Sequence, residues 1–117
     1  MTKPLALVIE DDPQLSQIFA LTLSDLFETE IIIDGSQALV RLFEIVPQLI
    51  ILDINLPGVS GAKILSSIRN DARFLSTRVI LATADSRQAD ELRDQADIVL
   101  LKPISTIQLR NFAERLK

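Results

Sequence analysis

The run Leu49-Ile50-Ile51-Leu52 restricts the fold more than any other stretch, because four bulky apolar residues without polar alternation suit a strand covered on both faces. It leads directly into Asp53 and then into Pro57-Gly58, where regular structure must end. Doubly covered strands belong to parallel α/β sheets, and open sheets of that kind gather their chemistry at the carboxyl ends of the strands. Asp53 is therefore the first candidate functional residue.

Four more apolar runs place the other strands. Residues 5–9 (LALVI) end in Glu10-Asp11-Asp12-Pro13, with proline suited to a first helical turn. A helix over 13–27 follows, its stripe of Leu15, Ile18, Phe19, Leu23 and Leu26 widened by Ala20, Leu21 and Phe27. The wide stripe is expected to be buried on the sheet, with partial exposure for docking as the alternative. Ile31-Ile32-Ile33 reads as the second strand, closed by Asp34-Gly35 before a helix carrying Ala38, Leu39, Leu42, Phe43 and Val46, which Pro47 stops. After Asp53, Gly61 precedes a helix with Ile64, Leu65 and Ile68. Residues 78–82 form a fourth strand that finishes at Thr83-Ala84-Asp85.

Residues 86–96 give the weakest helix, with only Ala89, Leu92 and Ala96 on one face, so this segment is expected to be loosely anchored and to move in a switch. Ile98-Val99-Leu100-Leu101 is the fifth strand. Lys102-Pro103 and a last helix with Leu109, Phe112, Ala113 and Leu116 complete the series. Five strands alternating with five helices predict a doubly wound (βα)5 sandwich, a five-stranded parallel sheet of order 2-1-3-4-5. In that order the ends of strands one and three frame the switch-point crevice, so Glu10, Asp11, Asp12 and Asp53 converge there.

Composition narrows the chemistry at this edge. The 117 residues contain neither cysteine nor histidine, which excludes disulfides, thiol nucleophiles, thiolate metal sites and imidazole catalysis. Residues 1–60 carry nine acids against Lys3 and Arg41, and no basic stripe with interleaved aromatics occurs, so direct nucleic-acid binding is not expected. No apolar stretch approaches bilayer length and no leader pattern is evident, which reads as a cytoplasmic protein without a membrane anchor. The length suits a single domain over 1–117.

Clustered carboxylates repel one another and must take up protons or a cation. Oxygen ligands favour Mg²⁺, Mn²⁺ or Ca²⁺, and a small ion shared between carboxylates and a phosphate is the usual Mg²⁺ arrangement. Lys102 brings an ammonium to the same rim and Thr83 a hydroxyl. Together with a carboxylate able to attack phosphorus, these groups fit phosphoryl transfer.

At IEDDP, LDINLPGVSG, LATAD and LKP, in that order at four strand ends, the chain resembles the receiver domains of bacterial two-component response regulators along its whole length. The resemblance implies a flavodoxin-like fold and a phosphorelay switch rather than an enzyme acting on a separate substrate. Asp53 would be the phosphoacceptor, loaded from a phosphohistidine on a sensor histidine kinase or histidine phosphotransfer protein. Asp11 would bind Mg²⁺ directly, Glu10 through water, and Asn55 would offer its backbone carbonyl. Thr83 and Lys102 would contact the phosphoryl group, and Lys102-Pro103 would be cis. Asp12 is expected to start a helix or remain solvated. A downstream output domain or protein is implied, and a homodimer is compatible with the pattern.

Three departures from the family stand out. Val99 occupies a place where receivers often carry an aromatic residue, the interval from Thr83 to Lys102 is short, and Gln95-Ala96-Asp97 replaces the more usual Gly-Ala-Asp turn. A shortened or distorted fourth helix and an unusual output follow as expectations. Asn55 and Asp85, two places beyond the acceptor and the threonine, suggest a short-lived phosphoform. The competing readings are a metal-dependent phosphatase or phosphotransferase, which the short loops leave without a specificity pocket, and a docking domain that does not use phosphorylation.

Overall fold

Side chains of a buried strand alternate between its two faces, and this alternation divides the core. The computed structural model describes residues 2–117, and among them the strands are β1 (Leu5–Ile9), β2 (Glu28–Ile32), β3 (Leu49–Asp53), β4 (Arg78–Thr83) and β5 (Ile98–Leu101). Leu7, Ile9, Ile50, Leu52, Val79 and Leu81 point to one face; Ala6, Val8, Leu49, Ile51, Ile80 and Leu100 point to the other. Helices α2 (Gly35–Glu44), α3 (Gly61–Arg69) and α4 (Ser86–Leu92) cover the first face, and α1 (Pro13–Leu23) and α5 (Thr106–Arg115) cover the second. The strands pair in parallel in the order β2-β1-β3-β4-β5, the doubly wound architecture expected from the sequence.

Register brings the strand ends level. Ile9 lies opposite Leu52, and Asp53 lies opposite Ala82, so the residues that follow β1, β3 and β4 emerge at one edge. Every residue of β3 is buried, as the uninterrupted apolar run requires. The β4–β5 register continues this edge, since Thr83 pairs with Leu101 immediately before Lys102.

Several details depart from the sequence reading, among them α2 ending at Glu44 before Val46 and α5 at Arg115 before Leu116. β2 begins at Glu28, three residues before Ile31, and Ile33 lies outside it and is exposed. This is an edge strand paired only with β1, so its length is set by register with Leu5–Ile9 rather than by apolar content. α1 ends at Leu23, where Ser24 N–H donates to the Leu21 carbonyl, yet Leu26 and Phe27 remain buried in the turn beyond. Their burial, not helical continuation, explains the apolar spacing. A single 3₁₀ turn at Ala72–Phe74, which buries Phe74, has no periodic signal in so short a stretch.

The wide stripe on α1 is only partly covered: Phe19 and Leu23 are buried, whereas Leu21 is 74% exposed and Ile18 is exposed as well. Likewise α2 buries Ala38 and Leu42 while Phe43 stands 81% exposed. α4 is short, as expected, with Ala89 its one buried residue, and it runs into a 3₁₀ turn at Arg93–Gln95.

Candidate functional site

Each side chain at the carboxyl edge is placed by a local device. Glu10 N–H donates to the Ile32 carbonyl at 3.0 Å and so prolongs the β1–β2 ladder by one residue, which leaves the Glu10 side chain buried at the strand end. Asp12 accepts from the Gln14 and Leu15 amides at 2.9 and 3.0 Å and caps α1, in line with its expected role as a helix start. Pro13 in the first turn then needs no backbone donor. Asp11 is left exposed between them.

Asp53 ends β3 with 4% of its surface exposed. Carboxylate oxygens of Glu10, Asp11 and Asp53 lie within 4.8 Å of one another. Of the four acids expected at the crevice, the strand order therefore brings three together and the cap on α1 occupies the fourth. Asn55 N–H donates to Asp53 Oδ1 at 3.2 Å, which folds the following loop back over the carboxylate. Gly61 opens α3 against the same backbone: its N–H donates to the Ile54 carbonyl at 2.8 Å, and a Cβ there would lie 2.2 Å from the Asp53 carbonyl oxygen. Only glycine permits that approach.

From the other side, Lys102 Nζ donates to Glu10 Oε1 at 2.8 Å and stands 3.5 Å from Asp53 Oδ1. Lys102 is delivered by β5, its N–H donating to the Thr83 carbonyl at 2.8 Å, and the Lys102-Pro103 peptide is cis. Thr83 is fully buried, with its Oγ1 accepting from the Asp85 amide at 3.1 Å. Asp85 is itself committed, since its Oδ1 caps α4 through the Arg87 and Gln88 amides. Val99 packs beneath α4 with Leu92 and Ala96, on the face opposite Ile98 and Leu100.

The electrostatics follow from this crowding. Burial, then the neighbouring charge of Glu10, push the Asp53 carboxyl up to about 7 in spite of the opposing Lys102 charge. Burial alone would depress the Lys102 ammonium, but the hydrogen bond it donates to Glu10 and the charges of both carboxylates outweigh burial and raise its pKa. An ammonium already sits among the carboxylates as a counter-ion, and the donors are all oxygen. Hard divalent cations such as Mg²⁺ suit that donor set.

Comparison with known proteins agrees with this edge. The family model described as the response regulator receiver domain matches residues 6–114. The chain is 34% identical over 107 residues to the DNA-binding response regulator MtrA of Mycolicibacterium smegmatis, covering 88% of this chain and 46% of that protein. It is 34% identical over 110 residues to the phosphate regulon transcriptional regulatory protein PhoB of Rhizobium meliloti, covering 91% of this chain and 48% of that one. The chain thus spans about half the length of these curated relatives. Among solved structures, the chemotaxis response regulator CheY4 of Vibrio cholerae superposes with a TM-score of 0.88 at 24% identity, covering 99% of this chain and 100% of that one, which is a likeness of fold. Among the described residues no helix is long and apolar enough to cross a membrane. From the matched residues, the strand order and the acidic edge together, the chain belongs to the response regulator receiver domain family.

Proposed function

We propose that residues 1–117 act as one receiver domain in a two-component phosphorelay, in which Asp53 takes a phosphoryl group from a phosphohistidine of a sensor histidine kinase or histidine phosphotransfer protein. The observation that carries this reading is the meeting of Glu10, Asp11 and Asp53 oxygens within 4.8 Å, with the Lys102 amine bonded to one and beside another. The ionised Asp53 Oδ attacks phosphorus, the P–N bond to the partner imidazole breaks, and the imidazole leaves neutral, taking the bonding pair and keeping the proton on its other ring nitrogen. Glu10 and Asp11, with Asp53 and the Asn55 carbonyl, would hold Mg²⁺. When bound, that ion supplies positive charge to the phosphoryl oxygens.

The remaining residues act on the same group. Lys102 can exchange its bond to Glu10 for one to a phosphoryl oxygen without leaving the rim, and the Thr83 hydroxyl can donate while its oxygen still accepts from Asp85. Hydrolysis ends the signal. The exposed Asn55 side chain is suited to hold an attacking water, whereas Asp85 is engaged in capping α4, so the short lifetime we assign to the phosphoform rests chiefly on Asn55. We place the exchange in the cytoplasm, with an output domain or protein as recipient and no direct nucleic-acid contact by these residues.

Intact-mass measurement after incubation with acetyl phosphate tests the reading. One added phosphoryl group is expected, dependent on Mg²⁺ and absent from Asp53→Asn. Absence of an adduct, together with no binding of beryllofluoride and Mg²⁺, would leave a docking domain independent of phosphorylation. A phosphoform that persists overnight in Mg²⁺ would count against the short lifetime.

A further inference from the structure

The loop between β3 and α3, residues 54–60, carries Asn55 over the Asp53 carboxylate but pairs with no strand of its own. Its ends are tied by the Ile54 N–H to the Ala82 carbonyl and by the Gly61 N–H to the Ile54 carbonyl. Among the described residues, one hydrogen bond reaches residues 55–60 from outside β3 and α3: Gly35 N–H donates to the Pro57 carbonyl at 3.0 Å. The same turn meets the loop twice more. A Cβ on Gly35 would lie 1.8 Å from the Val59 carbonyl oxygen, so the first residue of α2 abuts the loop backbone directly. Gly58, at φ +77°, faces the turn so closely that a Cβ would lie 2.7 Å from Ser36 Oγ and 3.1 Å from both Asp34 carboxylate oxygens. The turn is rigid, because Asp34 caps α2 through the Ser36 and Gln37 amides at 2.7 and 3.1 Å.

We infer that the Asp34-Gly35-Ser36 turn is a positioning device for the Asn55-bearing loop, so that helix α2 sets the cation affinity and reactivity of the Asp53 site although none of its residues belongs to the acidic cluster. The inference rests on the receiver reading, in which that loop contributes a backbone carbonyl to the cation. A methyl group on Gly35 meets loop backbone and must move the loop, whereas one on Gly58 crowds the Ser36 and Asp34 side chains and adds the strain of a positive φ. The loop geometry, in turn, fixes where the Asn55 carbonyl stands relative to Asp53.

The test titrates Mg²⁺ by calorimetry into the wild-type chain, Gly35→Ala and Leu42→Ala, and measures the acetyl phosphate reaction of each by intact mass. Leu42→Ala removes a buried side chain from the same helix while leaving the Asp34-Gly35-Ser36 turn unchanged, and so controls for lost stability. Gly35→Ala is expected to weaken Mg²⁺ binding by about tenfold or more, as loss of supporting contacts around a metal site does. Leu42→Ala should lower the unfolding temperature with binding unchanged. Gly58→Ala provides a second arm that decides alone if Gly35→Ala does not fold. Its Mg²⁺ affinity should fall and should recover in part in Gly58→Ala/Ser36→Ala, where the crowding hydroxyl is gone. Unchanged binding in Gly35→Ala, equal losses in Gly35→Ala and Leu42→Ala, or no recovery in the double variant would each overturn the positioning role. If the wild-type chain itself neither binds Mg²⁺ nor accepts a phosphoryl group, the receiver reading fails and this inference falls with it.

Discussion

The half of the sheet around β1 and β3 and the half around β4 and β5 solve the same packing problem differently. β3 is buried along its whole length and its loop is pinned at both ends and from α2. Beyond β4, α4 buries Ala89 alone, and β5 has one buried residue, Leu100. What holds that outer region is largely polar. Asp97 takes Arg69 at 3.0 Å, Arg78 at 3.2 Å and the Val79 amide at 2.7 Å, while Arg69 also reaches the Gln95 and Thr77 carbonyls. Apolar packing is broad and stiff, whereas a few polar ties can be exchanged at little cost. In the proposed phosphoryl transfer, Asp53 is mounted on the stiff half and Lys102 on the compliant one, with Thr83 at the end of the buried strand β4 between them.

The sharpest way to break this division is to exchange the roles of the two halves in phosphoryl transfer. Asp53→Asn should abolish the adduct in intact-mass measurements, while Lys102→Ala should slow its formation by about a hundredfold and leave the site of attachment unchanged. Complete loss in both would mean that the compliant half is as indispensable as the stiff one. Next in size, Leu52→Ala should cost about 3 kcal/mol in urea unfolding and Leu92→Ala about 1 kcal/mol, because the first empties a sealed core and the second a half-covered surface. Equal costs would erase the contrast. Asp97→Ala should cost about 1–2 kcal/mol, since a carboxylate bonded to a backbone amide is lost together with partly screened ion pairs. Hydrogen exchange should then accelerate in α4 and β5 before it changes in β1 or β3.

A pH dependence of similar size to the Asp97 effect follows from the site. The Asp53 pKa is raised in the folded chain, so its contribution favours folding fully below the ordinary value of 3.8 and is lost as pH rises through about 7. Relative to Asp53→Asn, the wild-type chain should lose about 1–2 kcal/mol between pH 4 and 8, a figure discounted for water at the open sheet edge. Parallel urea midpoints for the two chains across that range would contradict the crowded carboxylate. Added Mg²⁺ should shrink the difference.

How much of this was legible in the sequence depended on whether burial or register decided it. The run before Asp53 revealed β3, and similar runs revealed β1, β4 and β5, because doubly covered strands cannot hide their composition. β2 was misplaced at its start because Glu28, Thr29 and Glu30 lie on an edge where charge is tolerated, Glu30 being met by Arg41 at 2.7 Å. Glu10, Asp11 and Asp53 were recognisable from strand order, since that alone carries them to one edge. The seating of Gly35 on Val59 was not, because residues 24 positions apart announce no contact through periodicity or composition. Nor could sequence foretell that Asp85 would be engaged in capping α4.

The ammonium among the carboxylates has a consequence for which ions the pocket tolerates. With all three acids ionised, Lys102 reduces a cluster of three negative charges to a net charge of −2. A single divalent ion cancels that charge, whereas one monovalent ion leaves half of it standing. If the proposed cation site is right, sodium and potassium at ordinary ionic strength should therefore compete poorly, with Lys102 setting the charge that a bound ion has to cancel.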